Sequence, residues 1–175
     1  ARKAYNLLAL AAENGHAPSQ RELGDIYIKG TGVSPNPRVG FQWLTKAAAQ
    51  GDQLAKLELA RCYYEGLGTP TRPDKVVSLL TELSDDGNVD ASFVLGKVYL
   101  EDKGVPRDDT KALKLLLAAS DEGHSRAKLE LGLLYKEGSD FIMQNSKNAV
   151  QYLQLAADDN FAEAQVALGE MYLSK

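Results

Sequence analysis

The sequence predicts an all-α protein, a right-handed superhelical α/α solenoid of about ten helices without strand pairing. Three observations lead to this fold class. One residue pattern returns every 36 or 37 positions, each period holds two amphipathic helical segments, and glycine-rich turns separate them. A period of this length is typical of helix-turn-helix repeat arrays, in which each unit buries its apolar face against the next.

A tyrosine and a leucine set the register of the repeat. The tyrosines are spaced 36, 36, 36 and 37 residues apart: Tyr27, Tyr63, Tyr99, Tyr135 and Tyr172. Four residues before each tyrosine stands a leucine, which we call the landmark leucine: Leu23, Leu59, Leu95, Leu131 and Leu168. The residue after it is always glycine or alanine. This register divides a single array over residues 1–175 into a half repeat 1–15, four repeats and a half repeat 161–175. The four repeats are 16–51, 52–87, 88–123 and 124–160.

Each period holds two helices, A and B. Helix A is represented by Pro18–Lys29, where Leu23 and Tyr27 lie on one apolar face at helical spacing. Helix B is represented by Phe41–Gln50, which turns Trp43 and neighbouring apolar residues inward. The small residue after each landmark leucine predicts a close approach between neighbouring helices.

The turns carry helix start and stop signals. Helix B ends at a glycine suited to a left-handed C-terminal cap, and Asn160 takes that place in the last period. Asn36 followed by Pro37 predicts an N-cap with proline at the first helical position. Asp108 and Ser146 are the corresponding cap candidates in later repeats.

The motif Leu-Gly-x-x-Tyr, a glycine-rich turn and paired alanines before a glycine together resemble the Sel1-like repeat, a relative of the tetratricopeptide repeat. The resemblance covers essentially all 175 residues. It implies a scaffold or adaptor, as in protein quality control, bacterial envelope assembly, secreted effectors and immunity proteins. Some cysteine-rich relatives have been proposed to bind β-lactams, but this chain has one cysteine and lacks their cysteine pairs.

Composition excludes several classes of protein. The net charge is -4 and acids and bases are mixed along the whole sequence, so no basic patch indicates a nucleic-acid partner. No apolar stretch is long enough to span a membrane. A single cysteine excludes an internal disulfide framework. Cytosol and bacterial periplasm or envelope are both compatible with these features, and the start at Ala1 without a methionine indicates a fragment of a longer chain.

The residues that could carry chemistry have structural explanations. His16 and His124 lie three periods apart in one slot of the B-to-A turn, where Asp52, Asn88 and Phe161 are the other occupants. Asp and Asn are typical N-caps, so we expect the histidines to cap helices. Cys62 fills a core slot and has no activating partner in sequence. We therefore expect no enzyme activity and no bound metal or cofactor.

The resemblance to tetratricopeptide arrays, whose A helices line a concave face, implies a binding surface. We call it the A-helix groove: the residues two before, two after and five after each landmark leucine. Its candidate partner-binding residues are Asp25, Leu57, Arg61, Tyr64, Phe93, Lys97 and Leu100. Aromatic residues beside arginine are typical of binding hot spots, so Arg61, Tyr64, Phe93 and Lys97 form the predicted centre. Leu57 and Phe93 have an alternative role, which is packing between adjacent A helices.

These features predict a protein–protein interaction scaffold or adaptor with a protein or peptide partner. Self-association through uncapped terminal helices is a further expectation, because Tyr172 and Leu173 do not form a polar cap. Two alternatives stay open at this point: a substrate-positioning repeat region of a larger enzyme, and a glycan-guiding module in envelope polysaccharide export.

Overall fold

A computed structural model describes residues 2–139 and 141–173 and confirms the all-α fold class. Within these ranges the chain forms ten helices and no strand. The helices are α1 (Arg2–Glu13), α2 (Ala17–Lys29), α3 (Pro37–Ala49), α4 (Gln53–Glu65), α5 (Pro73–Asp85), α6 (Val89–Glu101), α7 (Asp109–Asp121), α8 (Ser125–Glu137), α9 (Ser146–Asp158) and α10 (Ala162–Leu173). The even-numbered helices are the A helices and the odd-numbered ones are the B helices.

The chain divides into two compact units. The first ends at Leu83 and the second begins at Ser84, near the end of α5. In the first unit a core forms around Leu44, Leu59 and Cys62, with Phe41 and Tyr63 packed at its edge. Their rings meet edge to face, with centroids 5.4 Å apart.

In the second unit two clusters form the core. One surrounds Leu116 and Leu131 between α7 and α8, and the other surrounds Leu153 and Leu168 between α9 and α10. Across both units no landmark leucine is more than 7% exposed. The period found in the sequence therefore corresponds to a repeated core position.

The small residue after the landmark leucine permits close packing of helices A and B. A Cβ atom on Gly24 would lie 2.8 Å from Leu44 Cγ and 3.0 Å from the carbonyl oxygen of Gly40. A Cβ atom on Gly132 would lie 2.6 Å from Leu153 Cγ. These separations are too short for a side chain, so glycine is required by packing against the following B helix.

Side-chain caps begin most of the helices. Asn36 and Asp108 accept hydrogen bonds from the backbone N–H of Val39 and Lys111, as the sequence predicts. The prediction for the fourth repeat is wrong by one residue: Asn145 is the N-cap of α9 and Ser146 is its first helical residue. Asparagine and serine are both favourable N-caps, so residue type does not separate the two positions, whereas the one extra residue of this A–B loop puts the cap at Asn145, 37 residues after Asp108.

One backbone hydrogen bond recurs in every complete A–B loop. The residue just before helix B donates its N–H to the carbonyl oxygen of the tyrosine that sets the register. The donors are Asn36, Arg72, Asp108 and Asn145, at N···O distances of 2.7, 3.0, 3.0 and 2.8 Å. The longer fourth loop keeps this bond, although its backbone differs: Gly138 has a ψ of -179° where Gly66 has 32°. The start of helix B is thus tied to the end of helix A.

Candidate functional site

The seven residues predicted for the A-helix groove all lie on A helices, and all are partly buried. In the first unit they are Asp25 on α2 and Leu57, Arg61 and Tyr64 on α4. In the second unit they are Phe93, Lys97 and Leu100 on α6. The structure thus places four of them on the first unit and three on the second.

Arg61 is held against its own helix. Its Nε and Nη2 atoms donate to Glu58 Oε2 at 2.9 and 2.6 Å. Its Nη1 atom lies 3.9 Å from Glu65 Oε2. Burial acts to lower the pKa of the guanidinium, but the bonds to Glu58 and the nearby carboxylates outweigh it, so the pKa lies above its usual value. The side chain is 35% exposed, which leaves a fixed, charged group at the surface of α4.

In the second unit, Lys97 joins two neighbouring A helices. Its Nζ donates to Glu130 Oε1 at 2.7 Å, from α6 to α8. Phe93 stacks on the ring of His124 with centroids 4.4 Å apart, and it packs with Leu100 against the core around Leu131. Phe93 and Leu100 are therefore partly used for packing, the alternative that the sequence left open for Phe93.

The two histidines cap helices, as the sequence predicts. His16 Nδ1 accepts from the backbone N–H of Ser19 at 3.3 Å, and His124 Nδ1 accepts from that of Ala127 at 3.1 Å. Because Nδ1 is the acceptor, the proton of neutral His124 lies on Nε2, which is 3.3 Å from Asp90 Oδ1. These contacts give the imidazoles a structural role.

Cys62 lies in the core and is fully buried. Burial raises the pKa of its thiol to about 11, so the reactive thiolate is scarce at neutral pH. Within residues 2–139 and 141–173, no three His, Cys, Asp or Glu side chains come close enough together to hold a metal ion. No helix in these ranges is long and apolar enough to cross a membrane.

The acidic partners of two groove cations, Arg61 and Lys97, are not among the residues predicted from the sequence. Glu58 and Glu130 both occupy the position just before a landmark leucine, and each binds a groove cation. The signal was present in the repeat: an acid at that position can meet a cation two residues after the landmark leucine of the same or the preceding repeat. The contact between Lys97 and Glu130 joins two repeats, so a pattern taken from a single repeat does not contain it, whereas Glu58 and Arg61 lie three residues apart on α4 and their pairing is visible in the sequence.

A buried carboxylate in the second unit was also missed. Asp109, at the start of α7, is only 2% exposed and accepts from Arg107 Nε at 2.6 Å. That bond, together with one to Ser139, lowers the pKa of the Asp109 carboxyl. Ser139 lies in the long fourth loop, so Asp109 connects the A–B loops of two successive repeats.

Comparison with known proteins identifies the repeat. The family model for the Sel1 repeat matches residues 1–16, 17–52, 53–76, 89–124, 125–161 and 162–174. A comparison with curated protein sequences finds no match.

Solved structures with the same fold include several bacterial proteins. One is a protective antigen present in uropathogenic Escherichia coli strains, which displays an SLR fold. It is 30% identical to this chain with a TM-score of 0.83, and the match covers 95% of this chain and 36% of the antigen. A Sel1 repeat protein from Oxalobacter formigenes is 26% identical with a TM-score of 0.79, covering 90% and 64%. An immunity protein from Pseudomonas aeruginosa, at 23% identity and a TM-score of 0.55 over 91% and 58%, shares the fold alone. This chain spans only part of the length of each.

The family matches cover most of the chain and agree with the helix pairs of the structure. Sel1 repeat proteins are generally protein-interaction scaffolds, and the fold is typically non-enzymatic. The chain belongs to the Sel1 repeat family.

Proposed function

We propose that residues 1–175 form a single repeat array that acts as a protein-interaction scaffold and binds a partner protein or peptide through the A-helix groove. One observation carries this proposal. The landmark leucines are buried and identical in every repeat, whereas the groove positions beside them are mostly only partly buried and vary from aspartate to arginine and leucine. Varied chemistry at partly accessible positions beside an invariant buried one is what a surface matched to one particular partner requires.

The residues of α4 are suited to the centre of such a surface. Arg61 is already fixed by Glu58, so little side-chain entropy remains to be lost when a partner binds it. Tyr64 lies one turn further along the helix and offers apolar area with a polar tip. Arginine and tyrosine are enriched among the residues that dominate binding energy.

In the second unit, Lys97 is the corresponding charged residue. Its side chain is 33% exposed, and the bond to Glu130 holds it at the surface between α6 and α8. Groove positions of both signs favour a protein surface with mixed charge over a polyanion.

The test begins with capture of partners by the wild-type chain and their identification by mass spectrometry. The double variant Arg61→Ala with Tyr64→Ala is then compared with wild type for affinity to the purified partner by calorimetry. We expect a loss of about thirtyfold or more, equal to about 2 kcal/mol. Lys97→Ala tests the second unit in the same way.

Two controls separate lost binding from lost structure. The unfolding midpoint of each variant must equal that of wild type, so that lost affinity does not reflect lost structure. Arg72→Ala is the matched control, because Arg72 makes an exposed ion pair with Asp74 outside the groove. Unchanged affinity in the folded double variant and in Lys97→Ala would place the binding surface elsewhere, on the B helices or the terminal helices.

Self-association is a finer part of the proposal and rests on exposed apolar side chains. Leu7 and Leu10 on α1 are exposed, as are Tyr172 and Leu173 on α10. If copies associate through them, sedimentation velocity should show a concentration-dependent mass for wild type that Leu10→Glu removes. A monomer at all concentrations would contradict it.

A further inference from the structure

Helix A packs on the following helix B through the same pair of positions in three repeats. The glycine after the landmark leucine of helix A lies against a leucine of helix B. Besides the contact of Gly24 with Leu44, a Cβ atom on Gly96 would lie 3.1 Å from Leu116 Cγ, and one on Gly132 would lie 2.6 Å from Leu153 Cγ. Both positions are buried in all four complete repeats: Gly24, Ala60, Gly96 and Gly132 on helix A, and Leu44, Leu80, Leu116 and Leu153 on helix B.

The tyrosine that sets the register adds a second contact of the same kind in the fourth repeat. Tyr135 on α8 stacks on Tyr152 of α9, with ring centroids 5.9 Å apart. Tyr152 directly precedes Leu153 in the sequence. The glycine and the tyrosine of α8 therefore face two consecutive residues of α9.

On α10, which is an A helix, the corresponding positions are open. Gly169 follows the landmark Leu168 and is exposed, and a Cβ atom added to it would have no atom of the described residues within 4 Å. Tyr172, at the position of Tyr135, is 54% exposed. We call Gly169 and Tyr172 the A face, because they are the part of the contact that an A helix contributes.

On α1, which is a B helix, the complementary positions are open. Leu8 corresponds to the four buried leucines of the other B helices but is only half-buried, and Leu7, at the position of Tyr152, is 69% exposed. Ala4 is exposed as well, and an open cleft of about 770 Å³ lies beside Ala4 and Leu8. We call Ala4, Leu7 and Leu8 the B face. The residues at the position of Ala4 in the other B helices are all buried: Gly40, Val76, Ala112 and Ala149.

The two faces are complementary, and the helix pairs within the chain show how they fit. If α10 lies against α1 as α8 lies against α9, Gly169 is opposite Leu8 and Tyr172 is opposite Leu7. In repeat arrays each unit buries its apolar side against its neighbour. Exposed apolar side chains at both faces give the same driving force for contact between two molecules. A second copy of the chain is the occupant that matches both faces at once.

We infer that α10 of one copy packs on α1 of a second copy, so that the A face and the B face form the A–B contact that recurs within the chain. The contact is heterologous, because it joins two different surfaces rather than one surface to itself. This inference rests on the self-association in the proposed function and specifies which faces meet.

The experiment measures the mass of the chain over a range of concentrations by sedimentation velocity. Gly169→Gln puts a side chain on the A face, where a Cβ atom has open space in the single molecule. Ala4→Glu puts a charge on the B face, and Leu7→Glu is a second variant of that face; both positions are exposed. Leu54→Glu is the matched control, because Leu54 is exposed on α4, outside both faces. Equal unfolding midpoints establish that each variant is folded.

We expect wild type and the control to associate as the concentration rises, and each face variant to associate at least about tenfold more weakly. A buried charge without a partner opposes the contact at the B face, and overpacking opposes it at the A face. A mixture of Gly169→Gln and Ala4→Glu should form a one-to-one dimer, since the first variant keeps an intact α1 and the second an intact α10. A symmetric contact does not predict this complementation.

Three results would overturn the inference: a wild-type monomer at all concentrations, unchanged association of Gly169→Gln, or a mixture no heavier than the separate variants. The proposed groove fails by a different result, which is unchanged partner affinity in the folded variants Arg61→Ala with Tyr64→Ala and Lys97→Ala. Wild type that associates equally well with Gly169→Gln would leave self-association standing through other faces, and this inference would fall.

Discussion

Gly68 lies in the A–B loop after α4, where a side chain would meet the backbone of the preceding repeat. A Cβ atom at this position would lie 2.1 Å from the carbonyl oxygen of Pro37 and 2.7 Å from the backbone nitrogen of Arg38. Gly68 also has a positive φ of 71°, which side-chain-bearing residues rarely adopt. The change Gly68→Ala therefore tests how the loop of one repeat packs on the start of helix B in the repeat before it.

Gly32 provides a matched control within the same unit. It holds the same place in the preceding A–B loop, with a φ of 77°, but a Cβ atom added to it would have no atom within 4 Å. For Gly32→Ala only the backbone conformation is unfavourable, by about 1–2 kcal/mol, partly offset by the lower entropy of the unfolded chain. Gly68→Ala adds the displacement of backbone atoms, comparable to overpacking, at about 1–3 kcal/mol. We expect Gly32→Ala to cost about 1 kcal/mol and Gly68→Ala about 2–4 kcal/mol.

The measurement is denaturant unfolding of wild type and both variants, followed by far-ultraviolet circular dichroism and by fluorescence of Trp43. Trp43 lies on α3, the helix whose first residues Gly68 contacts, so its signal reports on the affected repeat. If the two variants differ by less than about 0.5 kcal/mol, the loop does not pack on α3 as described and the reasoning is refuted.

Three further predictions concern buried groups. Leu131→Ala removes a fully buried landmark leucine and should cost about 2–5 kcal/mol in chemical denaturation; a change within about 0.5 kcal/mol would show that the repeat register is wrong. Cys62 should resist iodoacetamide in the native protein and react with it after unfolding. Because burial raises the pKa of its thiol from 9.0 to about 11, the free energy of unfolding of wild type should fall more steeply than that of Cys62→Ala between pH 9 and pH 11. Equal slopes would contradict this. Asp109→Ala should lower the free energy of unfolding by about 1–3 kcal/mol at neutral pH, whereas Asp74→Ala, at an exposed ion pair, should lower it little. The difference between the two variants should shrink as the pH falls through the lowered pKa of the Asp109 carboxyl. Equal losses for the two variants would argue against a buried network around Asp109.

The sequence by itself determined the repeat, its helices and most of their ends. These features depend on interactions between residues a few positions apart, such as a capping side chain and the N–H three residues on. That is why His16 and His124, separated by three periods, could be recognised as caps from their shared slot, and why Asn36 and Asp108 were correct. The same rule failed at Ser146, because asparagine and serine are both favourable N-caps and residue type alone does not separate Asn145 from Ser146.

Only the tertiary structure decided the state of the charged groups in the A-helix groove. The sequence placed Asp25, Arg61 and Lys97 in equivalent positions of the repeat, yet their contacts differ. Asp25 has a buried oxygen without a hydrogen-bond partner among the described residues, Arg61 is bound to Glu58 of its own helix, and Lys97 is bound to Glu130, 33 residues away. Asp109 likewise depends on Ser139 in the next repeat. A hydrogen bond requires its two atoms within about 3 Å. Such distances between side chains of different repeats follow from helix packing and rotamers, which a periodic sequence pattern does not specify.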